Sequence, residues 1–143
     1  MARVQTHVDA PPERVWEVLR DGYRYADWVV GTQRIRDVDP GFPAPETRLH
    51  YSAGVGPITR DGHTVVLAYE PDERLELEAH AWPMGSAHIT IEVAPERAGT
   101  RIDLDEYPTG GPAILAHNPV TDAFMWLRGY ENLRRLKTVV EGG

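Results

Sequence analysis

Glu106 is the residue in this chain whose neighbours suggest chemistry. Apolar and polar residues alternate through I-D-L-D-E-Y-P (Ile102 to Pro108), and continuing Ile102, Leu104, Glu106 puts a carboxylate on the apolar side of a strand. A carboxylate on a dry face must be paired, hydrogen-bonded or neutralised. Beside a pocket it could serve as a general acid or base, or anchor a ligand hydroxyl or carbonyl. If the strand frays at Pro108, Glu106 instead turns to solvent or pairs with an arginine. Its neighbour on the preceding strand is Ala87 or Ile89, depending on the register of the P-E-R-A-G turn (Pro95 to Gly99).

No nucleophile or metal constellation competes with it. Ser52 and Ser86 lack a G-x-S-x-G context, and the histidines His7, His50, His63, His80, His88 and His117 show no H-E-x-x-H spacing. The expectation is therefore no metal and no cofactor. His80 and His88 fall on the wet side of neighbouring strands, where they should be solvated. His50 and His63 could straddle the mouth of the hairpin around Gly54 to Gly62. Trp28, Tyr51, Trp82 and Tyr107 are aromatic candidates for a pocket rim or wall. Ala79, Ala81 and Ala87 make the dry face unusually small in side-chain volume, with Ile89 beside them.

These residues need elements to hold them. The one long helical signal runs from Asn118 to Glu141, with Asn118 suited to the N-cap, Pro119 to the first helical position, Asp122 to the positive end of the dipole and Gly142 to the stop. A helix of about 23 residues would span ~34 Å. At 100° per residue Met125, Trp126, Gly129, Leu133, Leu136 and Val140 form a stripe that should face the core. Val120, Phe124 and Leu127 form a second apolar face on the first half, which allows a homodimer. Gly129 lies inside the inward stripe, either for close approach to another backbone or to leave room for a ligand, with Met125 a further candidate for ligand contact. Arg134, Arg135 and Lys137 read as charges complementing the C-terminal end of the dipole.

Upstream, Arg3 to Asp9 alternates as a half-buried strand, and A-P-P-E-R-V-W-E-V-L-R-D-G encodes a short amphipathic helix. A second short helix follows in the segment bounded by Gly22 and Gly31, clustering Tyr23, Tyr25 and Trp28. From Thr32 to Tyr107 strands alternate with turn signals at Asp39–Pro45, Gly56–Gly62, Glu70–Arg74, Pro83–Ser86 and Pro95–Gly99. The strand from His63 to Tyr69 offers apolar residues to both faces, so its phase stays open. Strand, two helices, six strands and a long helix make an α+β protein with one antiparallel sheet covered by the last helix. A strongly curved sheet gripping that helix would enclose a ligand-sized space.

The chain has 143 residues, a single-domain length covering 1–143, with formal net charge −7 and no cysteine. Acidic balance and the lack of a basic, aromatic-interleaved patch argue against nucleic acid and anionic membrane as partners. The start M-A-R-V-Q-T has no apolar leader core, and no apolar run approaches the ~18 residues of a membrane span. A cytoplasmic location is the expectation.

The opening strand with A-P-P-E-R-V-W-E-V-L, the G-x-G-P turn (Gly54 to Pro57), the E-P-D-E-R-L hairpin, D-E-Y-P-T-G-G-P (Asp105 to Pro112) and the final E-N-L-R-R-L-K together resemble the polyketide cyclase/dehydrase-type branch of the START and birch-allergen-like superfamily, called SRPBCC. The resemblance spans essentially the whole chain. It implies the helix-grip fold, about seven strands in the order β-α-α-β6-α around a long C-terminal helix. It also implies a lipid- or polyketide-like small molecule held between sheet and helix, or alternatively a cyclase/aromatase- or dehydratase-type enzyme using Glu106. Relatives often carry an asparagine after the arginine of the last helix, whereas here Arg128 is followed by Gly129. An open apolar cavity would favour a binder, convergence of Glu106 with a tyrosine or histidine an enzyme, and a filled interior a structural or dimerising protein.

Overall fold

The computed structural model describes residues 2–81, 85–110 and 119–142, and the side chains of all these except 2, 55, 81, 119–122 and 124. The elements are β1 (Ala2–Val8), α1 (Pro12–Leu19), a single 3-10 turn (Gly22–Arg24), α2 (Tyr25–Trp28), β2 (Thr32–Val38), β3 (Arg48–Val55), β4 (Ile58–Glu70), β5 (Arg74–Ala81), β6 (Gly85–Glu96), β7 (Gly99–Gly110) and α3 (Pro119–Gly142). The strands form one antiparallel seven-stranded sheet in the order β1-β7-β6-β5-β4-β3-β2, curved around α3. The N-cap proposed at Asn118 and the aromatic Trp82 lie outside the described residues, as do the side chains of Val120, Asp122 and Phe124.

Each hairpin follows from short connections between alternating strands, but several boundaries differ from the sequence expectation. β3 and β4 are joined by Gly56 and Pro57 alone, since Val55 pairs with Ile58. Gly56 has φ +57°, which a two-residue hairpin turn needs. Thr59 to Gly62, expected in the turn, are therefore strand. β7 does not fray at Pro108 but continues to Gly110. The missing N–H of Pro108 is tolerated because its partner Ala87 sits at a register shift between Ser86 and Ala87.

A second shift, between Val66 and Ala68, explains why β4 had no readable phase. Before it, the even positions Thr64 and Val66 are buried; after it, Tyr69 pairs with the fully buried Leu75 and packs on Trp16 at 5.8 Å between ring centroids. A bulge reverses the inward parity, so both sets of residues are apolar. Leu67, at the switch, is 43% exposed.

The inner face of the sheet packs against α1 and the second half of α3. Val15, Trp16, Val18 and Leu19 of α1 are buried, as are Leu133, Leu136 and Val140 of α3. Three bonds fix the far end of α3: the Asp9 N–H donates to Glu141 at 2.7 Å, Lys137 Nζ to the His7 carbonyl at 2.8 Å, and Arg14 Nε to the Val140 carbonyl at 3.2 Å. Lys137 thus contacts β1, while Arg134 and Arg135 both bond Glu131, drawing its carboxyl down to a pKa of about 2.

Trp126 does not belong to the core stripe. It is 46% exposed and stacked on Tyr130, one turn along at 5.5 Å. Its direction lies 100° from that of Met125, which lines the interior. Leu127 is likewise exposed, and Tyr23 stands apart from the packed pair Tyr25 and Trp28.

Candidate functional site: a cavity under the C-terminal helix

A cavity of about 410 Å³ lies between the inner sheet face and the first half of α3. Side-chain size creates it. Across β4, β5 and β6, the lower rows Val66–Leu77–Ile89 and Tyr69–Leu75–Ile91 are bulky, whereas the upper rows are Thr64–Ala79–Ala87 and Gly62–Ala81–Gly85. The same curved backbone is filled below and hollow above.

Glu106 is on the inner face, opposite Ile89 and only 3% exposed, and its Oε2 accepts a hydrogen bond from Arg128 Nη1 at 2.6 Å. The carboxylate lines the cavity and is paired with an arginine, although the strand does not fray at Pro108. The ion pair joins β7 to α3 where the apolar wall would otherwise hold an uncompensated charge.

Tyr51, Trp28, Ile89 and Met125 also line the cavity. Tyr51 is 7% exposed, and its hydroxyl donates to the His80 carbonyl at 3.4 Å across the intervening strand. Gly62 makes this pose possible, since a Cβ there would lie 2.9 Å from Tyr51 Cε2 and 2.7 Å from the His80 oxygen. Burial pushes the Tyr51 phenol up, while a hydrogen bond with Thr64 and the charge of Arg128 oppose that and Glu106 adds to it. The phenol thus stays protonated, as a donor, in the company of the ion pair.

Three expected site residues are elsewhere. Tyr107 follows Glu106, so strand alternation turns it to the outer face, where it stacks on His88 at 5.1 Å. His63 precedes the inward Thr64 and is outward for the same reason, stacked on His80 at 4.8 Å. Gly129 is buried but outside the cavity lining. Its missing side chain admits Val4, whose Cγ2 would be 3.1 Å from a Cβ at that position, and Leu104 at 3.6 Å. The Ala81 side chain lies outside the described residues. His80 and His88 are on the outer face as expected, though each has a carboxylate partner, Glu78 and Glu76 respectively.

Sequence reasoning passed over Arg128, Asn132 and Thr64, all in the lining. The signal for two of them was present, because Met125, Arg128 and Asn132 are spaced i, i+3, i+7 and share one helix face. Asn132 is 4% exposed, and its Oδ1 accepts from the Val30 N–H at 2.7 Å. The adjoining Gly31 carbonyl accepts from the Gly54 N–H at 3.0 Å. Asn132 therefore fastens the α2–β2 connection, one wall of the cavity, to α3.

The sequence matches the family model for polyketide cyclase/dehydrase and lipid transport over residues 1–141. The chain belongs to this family. No curated protein matches it. Among solved structures it is similar to Ara h 8.0201, with 13% identity, TM-score 0.75 and coverage of 99% of this chain and 97% of that one. DynU16, a protein of the dynemicin biosynthetic locus, is 20% identical at TM-score 0.67, over 98% of this chain and 46% of its own. The Aha1 dimer from Colwellia psychrerythraea is 13% identical at TM-score 0.69, over 98% and 95%. These likenesses establish the helix-grip fold for the family member described here. Among the described residues no helix is long and apolar enough to cross a membrane, and no group of histidine and carboxylate side chains is arranged to hold a metal.

Proposed function

We propose that this protein binds a hydrophobic or aromatic small molecule, lipid- or polyketide-like, in the cavity between the sheet and α3. The observation that carries this is the hollow upper half of the inner face, whose walls are mainly apolar and whose few polar side chains include a buried ion pair. Its volume falls within the roughly 300–1,000 Å³ usual for small-molecule sites, where a few polar groups fix the orientation of an otherwise apolar ligand. Arg128 and Asn132 supply donors for a ligand oxygen. Native mass spectrometry of the purified protein, together with titration of the neutral dye N-phenyl-1-naphthylamine, tests the proposal. Saturable uptake of one dye per chain, weakened by Ala87→Leu, supports it; uptake indifferent to that substitution rejects it.

A second reading, a cyclase/aromatase- or dehydratase-type enzyme, is favoured by the presence of Glu106 and the protonated Tyr51 phenol in one cavity. In it Glu106 moves the proton and Arg128 orients the carboxylate. Replacing Glu106 by Gln should then leave ligand affinity nearly intact and lower turnover by roughly 10²–10⁴, the usual share of general acid–base catalysis. Equal turnover in both proteins would eliminate the catalytic role.

A further inference from the structure

Three histidines stand in register on the outer side of the cavity wall. His50 of β3 is directly opposite His63 of β4, and His63 is directly opposite His80 of β5. The rings of His63 and His80 are stacked, 4.8 Å apart and inclined by 22°. The two outer members have carboxylate partners, His50 Nε2 with Asp39 at 3.1 Å and His80 Nε2 with Glu78 at 2.8 Å. His63 has none within ion-pair distance among the described residues.

The other charges around His63 do not compensate. On β3, Arg48 is two residues from His50, opposite Val65. On β4 itself, Asp61 is held by Ser52 and Arg36. Asp37 of β2 faces His50, and on β6 His88 faces Glu78 and bonds Glu76. Asp39 and Glu78 are thus engaged by the outer members of the row, and a proton on His63 is placed between two further imidazoles. Like charges directly opposite across strands are destabilising.

We infer that the row His50–His63–His80 is a proton-sensitive element, and that mild acid loosens β3, β4 and β5 and releases the occupant of the cavity. The inner sides of these strands carry Tyr51, Thr64 and Ala79, so any loosening of their pairing alters the cavity wall. The release step rests on the apolar-cavity reading; the loosening does not.

Burial, then the charges of His80, Arg48 and His50, hold His63 below the ordinary histidine range. The unfolded chain therefore takes up this proton at higher pH than the folded one. The stability at stake is fully present above the unfolded value of about 6.5 and is lost as pH falls through the folded value.

The test compares wild type with His63→Gln in thermal melts and dye binding at about pH 7.5 and about pH 5.5, on either side of the ordinary histidine value. At the higher pH the two should agree. At the lower pH the wild type should lose Tm and release N-phenyl-1-naphthylamine, while His63→Gln should retain at least half of what the wild type loses in each. Equal losses in both proteins overturn the inference, and a protected Tm with unprotected dye release overturns the coupling to the cavity. A protein that takes up no dye at pH 7.5 counts against the cavity reading alone, since the melts still decide the row. An NMR titration of the His63 ring in the unsubstituted protein provides an independent check. A midpoint below the ordinary histidine value is expected, and one at or above it refutes the proposal.

Discussion

The inner face of the sheet has two halves built on the same strands. In the lower half Val66, Leu75, Ile91 and Ile102 share a buried cluster with Leu133, Leu136 and Val140, and the interior is closed. In the upper half Thr64, Ala79 and Ala87 meet Met125, Arg128 and Asn132, and about 410 Å³ is left open. Backbone curvature is common to both. What separates a closed core from an open cavity here is the volume of a few side chains on β4 to β6, and the face α3 presents changes to match. The lower half supplies cohesion, and the upper half gives it up for space and a buried ion pair.

Substitutions should divide along that line. Leu136→Ala, in the closed half, is expected to cost about 2–5 kcal/mol in denaturant melts, as a core truncation with no compensating collapse. A cost below about 1 kcal/mol would mean that the lower half is not the stabilising one. Arg128→Met, which leaves Glu106 buried without its partner, should cost roughly 1–3 kcal/mol, less than loss of a fully buried pair because Arg128 is 25% exposed. Ala87→Leu extends into empty volume, so its stability change should stay within about 1 kcal/mol of zero, in contrast to overpacking of a filled core. Dye uptake by that variant should nevertheless fall sharply; a large stability loss would show the upper half to be packed. The smallest effect belongs to Trp126→Ala. Exposed and stacked on Tyr130, it should cost about 0.5 kcal/mol or less, beyond which it would have to be returned to the core stripe.

Much of the closed half was legible, because it is written in regular alternation and helical spacing. Leu75, Leu77, Ile91, Ile102 and Leu104 read inward at period two and are buried, and Glu106 was found by the same count. The hollow half was legible only in part. Tyr107 and His63 were chosen for their chemistry, whereas their neighbours in sequence occupy the inward positions. For His63 the choice lacked a phase, since the shift at Val66/Ala68 makes both parities of β4 apolar. Gly129 was correctly placed inward, but the side chain it admits is Val4 from the other edge of the sheet, a long-range fact that local spacing does not contain. Arg128 and Asn132 were missed because a polar residue on a helix is ordinarily assigned to solvent; only the concavity opposite makes their face an interior one.

The bonds that hold α3 are unevenly distributed along it. Its last turns are tied to β1 and α1 through Glu141, Lys137 and Val140, while around the cavity the described attachments are Arg128 to Glu106 and Asn132 to Val30. Such a helix behaves as a lever with its pivot at the C-terminal end. Rotation by a small angle about that pivot displaces Leu136 little and Met125 most, so the volume above Ala79 and Ala87 can grow without opening the packed layer below. On the proposed ligand-binding reading, an occupant larger than the resting cavity would be accommodated by tilting α3, at the expense of two polar attachments. Amide exchange in α3 should accordingly quicken toward Met125 and remain slow around Leu136.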